Sequence, residues 1–213
     1  MKLRLAALVA MTALSACRHA GDVTADNGGG VYAVRSACPI VGVPAGTGDV
    51  TMFNPAGSTD ARAIDVTAAI SAVRATCQDS GSDVVSTATF TVTGLRRDAG
   101  AARQVILPYF DVALQGGATV AAKQVGRTAL YFPAGSQHAQ TQVQTTVRVN
   151  RAVATLPANV REILTRRRKA GEAEAAQDPL ADPAIRTAVA NATFEHLVGF
   201  QLTQDQLKYN ATR

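Results

Sequence analysis

Few side chains in this chain are of the kinds that carry chemistry, and their spacing narrows what that chemistry can be. There are three cysteines, Cys17, Cys38 and Cys77, and three histidines, His19, His138 and His196. None of the histidines stands at metal-ligand spacing from a second histidine or a cysteine. No Gly-x-Ser-x-Gly turn is present to hold a serine nucleophile. Gly28-Gly29-Gly30 is followed by neither a lysine nor a helix start, so it is a poor phosphate loop. Asp79-Ser80-Gly81-Ser82-Asp83 lacks the later ligands and terminal glutamate of a calcium loop and reads as a solvated turn. His138 is expected in a turn after Gly135. His196 shares strand parity with Phe194 and Val198 and reads as a core or edge histidine. An enzyme or ligand carrier needs convergent polar groups in a pocket. The candidates are Asp65, Tyr109, Asp111 and His196, scattered along the chain. No catalytic residue, metal or cofactor is expected from them. A buried acid–His pair would favour an enzyme or carrier, and a filled core would favour a binding module.

The cysteines say more. Met1 to Cys17 has two positive residues, a short apolar run and then Leu14-Ser15-Ala16-Cys17. A helix crossing a bilayer needs about 20 apolar residues, more than this run offers. The layout is that of a removable export signal. It resembles a bacterial lipoprotein signal peptide with its lipobox. The resemblance implies cleavage before Cys17 and acylation of its sulfur and new amino group, with palmitate-type chains. Two lipid signals already anchor a protein stably. Arg18, in place of an inner-membrane-retaining aspartate, suggests the outer membrane, with the body facing the periplasm.

Export sets the reading of the other two cysteines. An oxidising compartment favours a disulfide between Cys38 and Cys77. A closed loop of about 39 residues contributes up to about 4 kcal/mol on the chain-entropy model.

The expected organisation is a signal over 1–16, a lipidated cysteine and disordered tether over 17–37, and one domain over 38–213. The tether includes Asp26-Asn27-Gly28-Gly29-Gly30 and could reach roughly 65–70 Å fully extended. The chain carries 21 Lys and Arg against 16 Asp and Glu. Removing Lys2 and Arg4 leaves about +3 (19 − 16), which does not suit a nucleic-acid binder. Aromatics are 5% and tryptophan is absent, which counts against a sugar-binding platform.

The domain reads as β. Expected strands are 38–43, 64–70, 84–93, 105–114, 120–132, 143–149 and 194–202, from period-2 alternation and turn residues. Val84, Ser86, Ala88, Phe90 and Val92 share one face of the third. Thr87, Thr89, Thr91 and Thr93 share the other. Gly116-Gly117 signals a tight hairpin. Seven short strands indicate an immunoglobulin- or fibronectin type III-like sandwich. A helical insertion interrupts it at about 158–192. One helix is expected over Asn159–Gln177, and a second opens at Asp182-Pro183. Thr203-Gln204-Asp205-Gln206 is a capping box that starts a short closing helix. Arg166-Arg167-Arg168-Lys169 suits a helix C-terminus and is otherwise a candidate contact for anionic lipid or an acidic partner.

Several segments resemble a family of uncharacterised alphaproteobacterial lipoproteins. They are Cys38-Pro39-Ile40-Val41, Thr51-Met52-Phe53, Thr76-Cys77, Val105 to Phe110, Lys123-Gln124-Val125, Phe132-Pro133 and Val198 to Asn210. The likeness covers most of 38–213, and the closing segment is its most specific part. It implies an exported, lipid-anchored β-sandwich with no assigned activity. The basic helical insertion departs from it. The function expected is a non-catalytic envelope module that binds another protein; the alternative is a small-ligand carrier or enzyme.

Overall fold

The computed structural model describes residues 36–166 and 177–212. The chain divides into two units, and the larger comprises 35–164 and 178–213. This larger unit is the body described below. Cys17, Arg167, Arg168 and Lys169 lie outside the described residues.

Eight strands make up the body among the described residues: β1 (Ile40–Gly42), β2 (Asp49–Phe53), β3 (Ile64–Ser80), β4 (Asp83–Arg96), β5 (Arg103–Gln115), β6 (Thr119–Phe132), β7 (His138–Asn150) and β8 (Phe194–Phe200). They form two four-stranded sheets, β1-β8-β5-β6 and β2-β3-β4-β7. All pairings are antiparallel except β1 with β8. The expected sandwich is present, with eight strands where seven were expected. The additional strand is β2, whose five residues Asp-Val-Thr-Met-Phe are too short to display an alternation. Its inner residue Val50 is nevertheless buried.

Alternation explains which faces meet. Along β4, Val84, Ser86, Ala88, Phe90 and Val92 are buried while the intervening threonines are half-buried or exposed. Of these, Ala88, Phe90 and Val92 pack in one cluster with Val105 and Leu107 of β5, Leu130 and Phe132 of β6, and Val198 and Phe200 of β8. Fully burying an aliphatic or phenyl side chain contributes about 1.5–3 kcal/mol, so this two-sheet cluster is the main stabilising feature. Phe90 meets Tyr109 edge to face at 5.9 Å. Near the end of β4 Gly94 leaves room for the core, because a Cβ there would strike Leu130 and crowd Phe132 at 3.1 Å.

The turns follow their chemistry. Gly116 and Gly117 both have positive φ, +63° and +75°, and join β5 to β6 as the primed hairpin turn requires. Gly81, at φ +60°, turns β3 into β4 inside the acidic segment 79–83. No cluster of metal-ligand side chains occurs there or elsewhere among the described residues. His138 is not in a turn but opens β7. Strand β3 runs ten residues beyond its expected end at Ile70. A bulge between Ser71 and Arg74, with Ala72 at φ 50°, breaks the alternation there.

Among the described residues, four α-helices accompany the sheets. Helix α1 (Arg151–Ala154) is a single turn capped by Asn150. In the insertion lie α2 (Ala158–Thr165) and α3 (Pro183–Asn191). Helix α2 ends at Thr165, short of the expected Gln177, and 167–176 lies outside the described residues. Asp178 caps a 3₁₀ turn over Pro179–Ala181, and Asp182 caps α3 by accepting from the Ala184 N–H, with Pro183 at the first helical position.

Helix α4 (Gln204–Thr212) closes the chain. Its capping box is complete: Thr203 Oγ1 accepts from the Gln206 N–H at 3.2 Å, and the Thr203 N–H donates to Gln206 Oε1 at 2.9 Å. Tyr209 stands edge-on to Phe53 at 5.1 Å, and Asn210 Nδ2 donates to the carbonyls of Gly46 and Asp49. The closing segment is therefore a clasp over β2.

Cys38 and Cys77 are disulfide-bonded, with Cα atoms 6.0 Å apart. The bond ties the residues preceding β1 to the far half of β3.

Candidate functional site

Two of the four scattered polar candidates meet. Asp111 on β5 and His196 on β8 both point inward from one sheet, in neighbouring register: Asp111 faces Val198, and Ala113 faces His196. Ser86 on β4 and Thr145 on β7 point inward from the other, where Ser86 faces Val147 and Ala88 faces Thr145. The four side chains form one polar cluster across the sandwich. His196 Nδ1 lies 3.0 Å from Ser86 Oγ. His196 Nε2 lies 2.9 Å from Asp111 Oδ1. Thr145 Oγ1 donates to Asp111 Oδ2. The Nε2 to Oδ1 approach is close but off the line of a good hydrogen bond, and neither atom has another partner.

A serine, a histidine and an aspartate in contact are the ingredients of nucleophilic catalysis. In this conformation these three side chains are buried. His196 is 0% exposed, while Asp111 and Ser86 are each 1%. Ala113, Val147, Val149 and Phe194 enclose the neighbourhood. The Ser86–His196 and Thr145–Asp111 hydrogen bonds each run from one sheet to the other, and they form only when the two sheets pack in this register.

The other two candidates stand elsewhere. Asp65 receives both arms of Arg103, at 3.0 and 2.7 Å, on a partly exposed edge. That hydrogen bond, first, and the carboxylate charge hold the Arg103 guanidinium above its ordinary range, against the lowering effect of burial. Tyr109 packs with the core cluster. Of the basic run, Arg166 is exposed just past the end of α2.

Sequence reasoning missed Arg96. Its side chain is buried, at 3% exposed, beside the Phe132 ring at 5.5 Å. Nε donates to the Ser136 carbonyl, Nη1 to Ala101, and Nη2 to Gly100 and Pro133. One guanidinium thus joins the β4–β5 loop to the β6–β7 turn through four carbonyls. Residue type does not separate it from its neighbour Arg97. Strand parity alone, continued inward from Val92 and Gly94, would have placed it.

Two shallow surface hollows accompany these features. One is lined by Asn150, Arg151, Thr155 and Pro157, the other by Arg62, Asp65, Leu95 and Gln137. Neither reaches the buried cluster.

No family model matches the chain. No curated protein matches it either. Among solved structures, a DUF1425 family member from Shewanella sp. pv-4 is similar at 14% identity, covering 51% of this chain and 95% of that one, with a TM-score of 0.24. A likeness that slight fixes neither topology nor role.

Proposed function

We propose that this chain is a lipid-anchored protein of the bacterial cell envelope whose sandwich is a non-catalytic module that binds another protein. The observation that carries the anchor is the sequence Leu14-Ser15-Ala16-Cys17 behind a charged start and a short apolar run. The Cys38–Cys77 bond agrees with an oxidising compartment. Arg18 directs the anchor to the outer membrane, facing the periplasm. Kinship with the uncharacterised alphaproteobacterial lipoproteins belongs to the same reading. The comparison with immunoglobulin and fibronectin type III modules is offered at the level of two packed sheets, since the strand order is the chain's own.

The non-catalytic half of the proposal is supported by burial. Ser86, His196 and Asp111 are buried between the two sheets. A second reading, as a carrier or enzyme, draws on that same acid–His pair. It requires the sheets to part enough to admit a ligand.

The test of the anchor is intact-mass and peptide analysis of the mature protein from bacterial envelopes. Cys17 should be the first residue, carrying three acyl chains. A mature terminus elsewhere, or an unacylated Cys17, overturns the proposal.

A further inference from the structure

Strand β6 ends its sheet, paired to β5 alone. Its backbone orientation follows from one hydrogen bond. The Pro108 carbonyl accepts from the Gln201 N–H, on the side of β8. Pro108 faces Arg127, so that pair is the non-hydrogen-bonded kind, and the N–H and C=O of Arg127 point away from β5. By alternation the same holds for Lys123, Val125 and Ala129. Among the described residues no backbone group pairs with this edge.

These residues also share a side-chain face. The outer row of β6 reads Val120, Lys123, Val125, Arg127, Ala129 and Tyr131, facing Leu114, Val112, Phe110, Pro108, Ile106 and Gln104 of β5. Val120, Val125 and Tyr131 are 56%, 57% and 63% exposed, and Ile106 is 49% exposed. Lys123 Nζ lies 5.9 Å from the Phe110 ring centre. No acid lies on this face of β5 or β6, because Asp111 points inward. Glu195 of β8 is on the same side, opposite Leu114. An open strand edge is an invitation to add a strand. This one offers apolar side chains alternating with cations.

We propose that the β6 edge takes an extended segment of another envelope protein as an added strand, with apolar residues alternating with Asp or Glu. The inference rests on the binding-module reading and deepens it. Charge selects this occupant. A second copy paired antiparallel about Val125 would set Lys123 against Arg127 twice, and like charges directly opposite destabilise a strand pair. A bilayer would accept the apolar row and the cations, but lipid chains cannot satisfy the outward N–H and C=O groups.

The test uses the full chain in intact cells, with a photo-crosslinking amino acid placed at Val125 and, as a control, at the exposed Gln142 on β7. The expected adduct at Val125 is a protein whose crosslinked peptide alternates acidic with apolar residues. Lys123→Glu with Arg127→Glu should lower its yield at least tenfold. Ala129→Pro, which removes one outward N–H and no bond to β5, should lower it as well. Unchanged melting of each variant shows that the fold is kept. An adduct with lipid, with a second copy or with a segment lacking acids overturns the inference, as does an unchanged yield in both variants. An adduct from Gln142 alone overturns the edge while leaving the binding module standing. No adduct from Val125, Gln142 or any other exposed position removes both.

Discussion

Truncating Asp111 to alanine is the sharpest test of how the polar cluster is used. Asp111→Ala removes the acceptor of the part-buried Thr145 hydroxyl and the carboxylate beside the fully buried His196 Nε2. An orphaned buried polar group costs about 1–3 kcal/mol, and this substitution strips the carboxylate from two neighbours. The expected loss is therefore about 4 kcal/mol, a large share of the roughly 5–15 kcal/mol by which domains are stable. With a urea slope of about 2 kcal/mol/M, the midpoint falls by about 2 M. The assay is urea unfolding with the disulfide intact, followed by far-ultraviolet circular dichroism because the chain has no tryptophan. Replacing the whole cluster, as Ser86→Ala, Asp111→Val, Thr145→Val and His196→Leu together, should recover stability to within about 2 kcal/mol of the parent, since no polar group is then stranded. An Asp111→Ala loss under about 1 kcal/mol would refute the reasoning. It would mean that water enters the cluster, and the carrier or enzyme reading would gain.

Two further expectations concern ties between elements. Arg96→Ala removes the donors of four carbonyls and should cost about 3–5 kcal/mol, whereas Arg97→Ala should change stability by under about 0.5 kcal/mol, both read by the same urea titration. Cys38→Ala with Cys77→Ala should lower stability by up to about 4 kcal/mol, matched by reduction of the parent with a thiol, and unequal losses would point to damage beyond the lost crosslink.

What the sequence made legible was governed by burial on one face. Strand β4 alternates cleanly because one face is core and the other is not, so its in-facing residues are readable by parity. The far half of β3 is exposed on both faces and bulged at Ala72, so no period survives to be read. Strand β2 has too few residues to show one. The capping box of α4 and the Asp182-Pro183 start of α3 are local chemistry and were legible as such. The meeting of Asp111 with His196 was not. It depends on β5 pairing with β8 across a separation of more than eighty residues, and on Ser86 arriving from the other sheet. Parity placed Ser86, Thr145 and His196 on the apolar faces of their strands, but not Asp111: Ile106, Phe110, Val112 and Leu114 make the opposite face of β5 read as the apolar one, whereas Val105, Leu107, Asp111 and Ala113 are the residues that turn inward.

The Cys38–Cys77 bond has a mechanical consequence. Strand β1 is three residues long and pairs with β8 alone. A pull applied through the N-terminal segment would otherwise peel β1 residue by residue, the weakest way to load a sheet. The bond lies ahead of β1 in the chain, so tension arriving at Cys38 can pass to Cys77. There β3 is paired with β4 over most of their length. Tension is thereby shared with a long antiparallel ladder of the second sheet, and β1 is relieved of part of it.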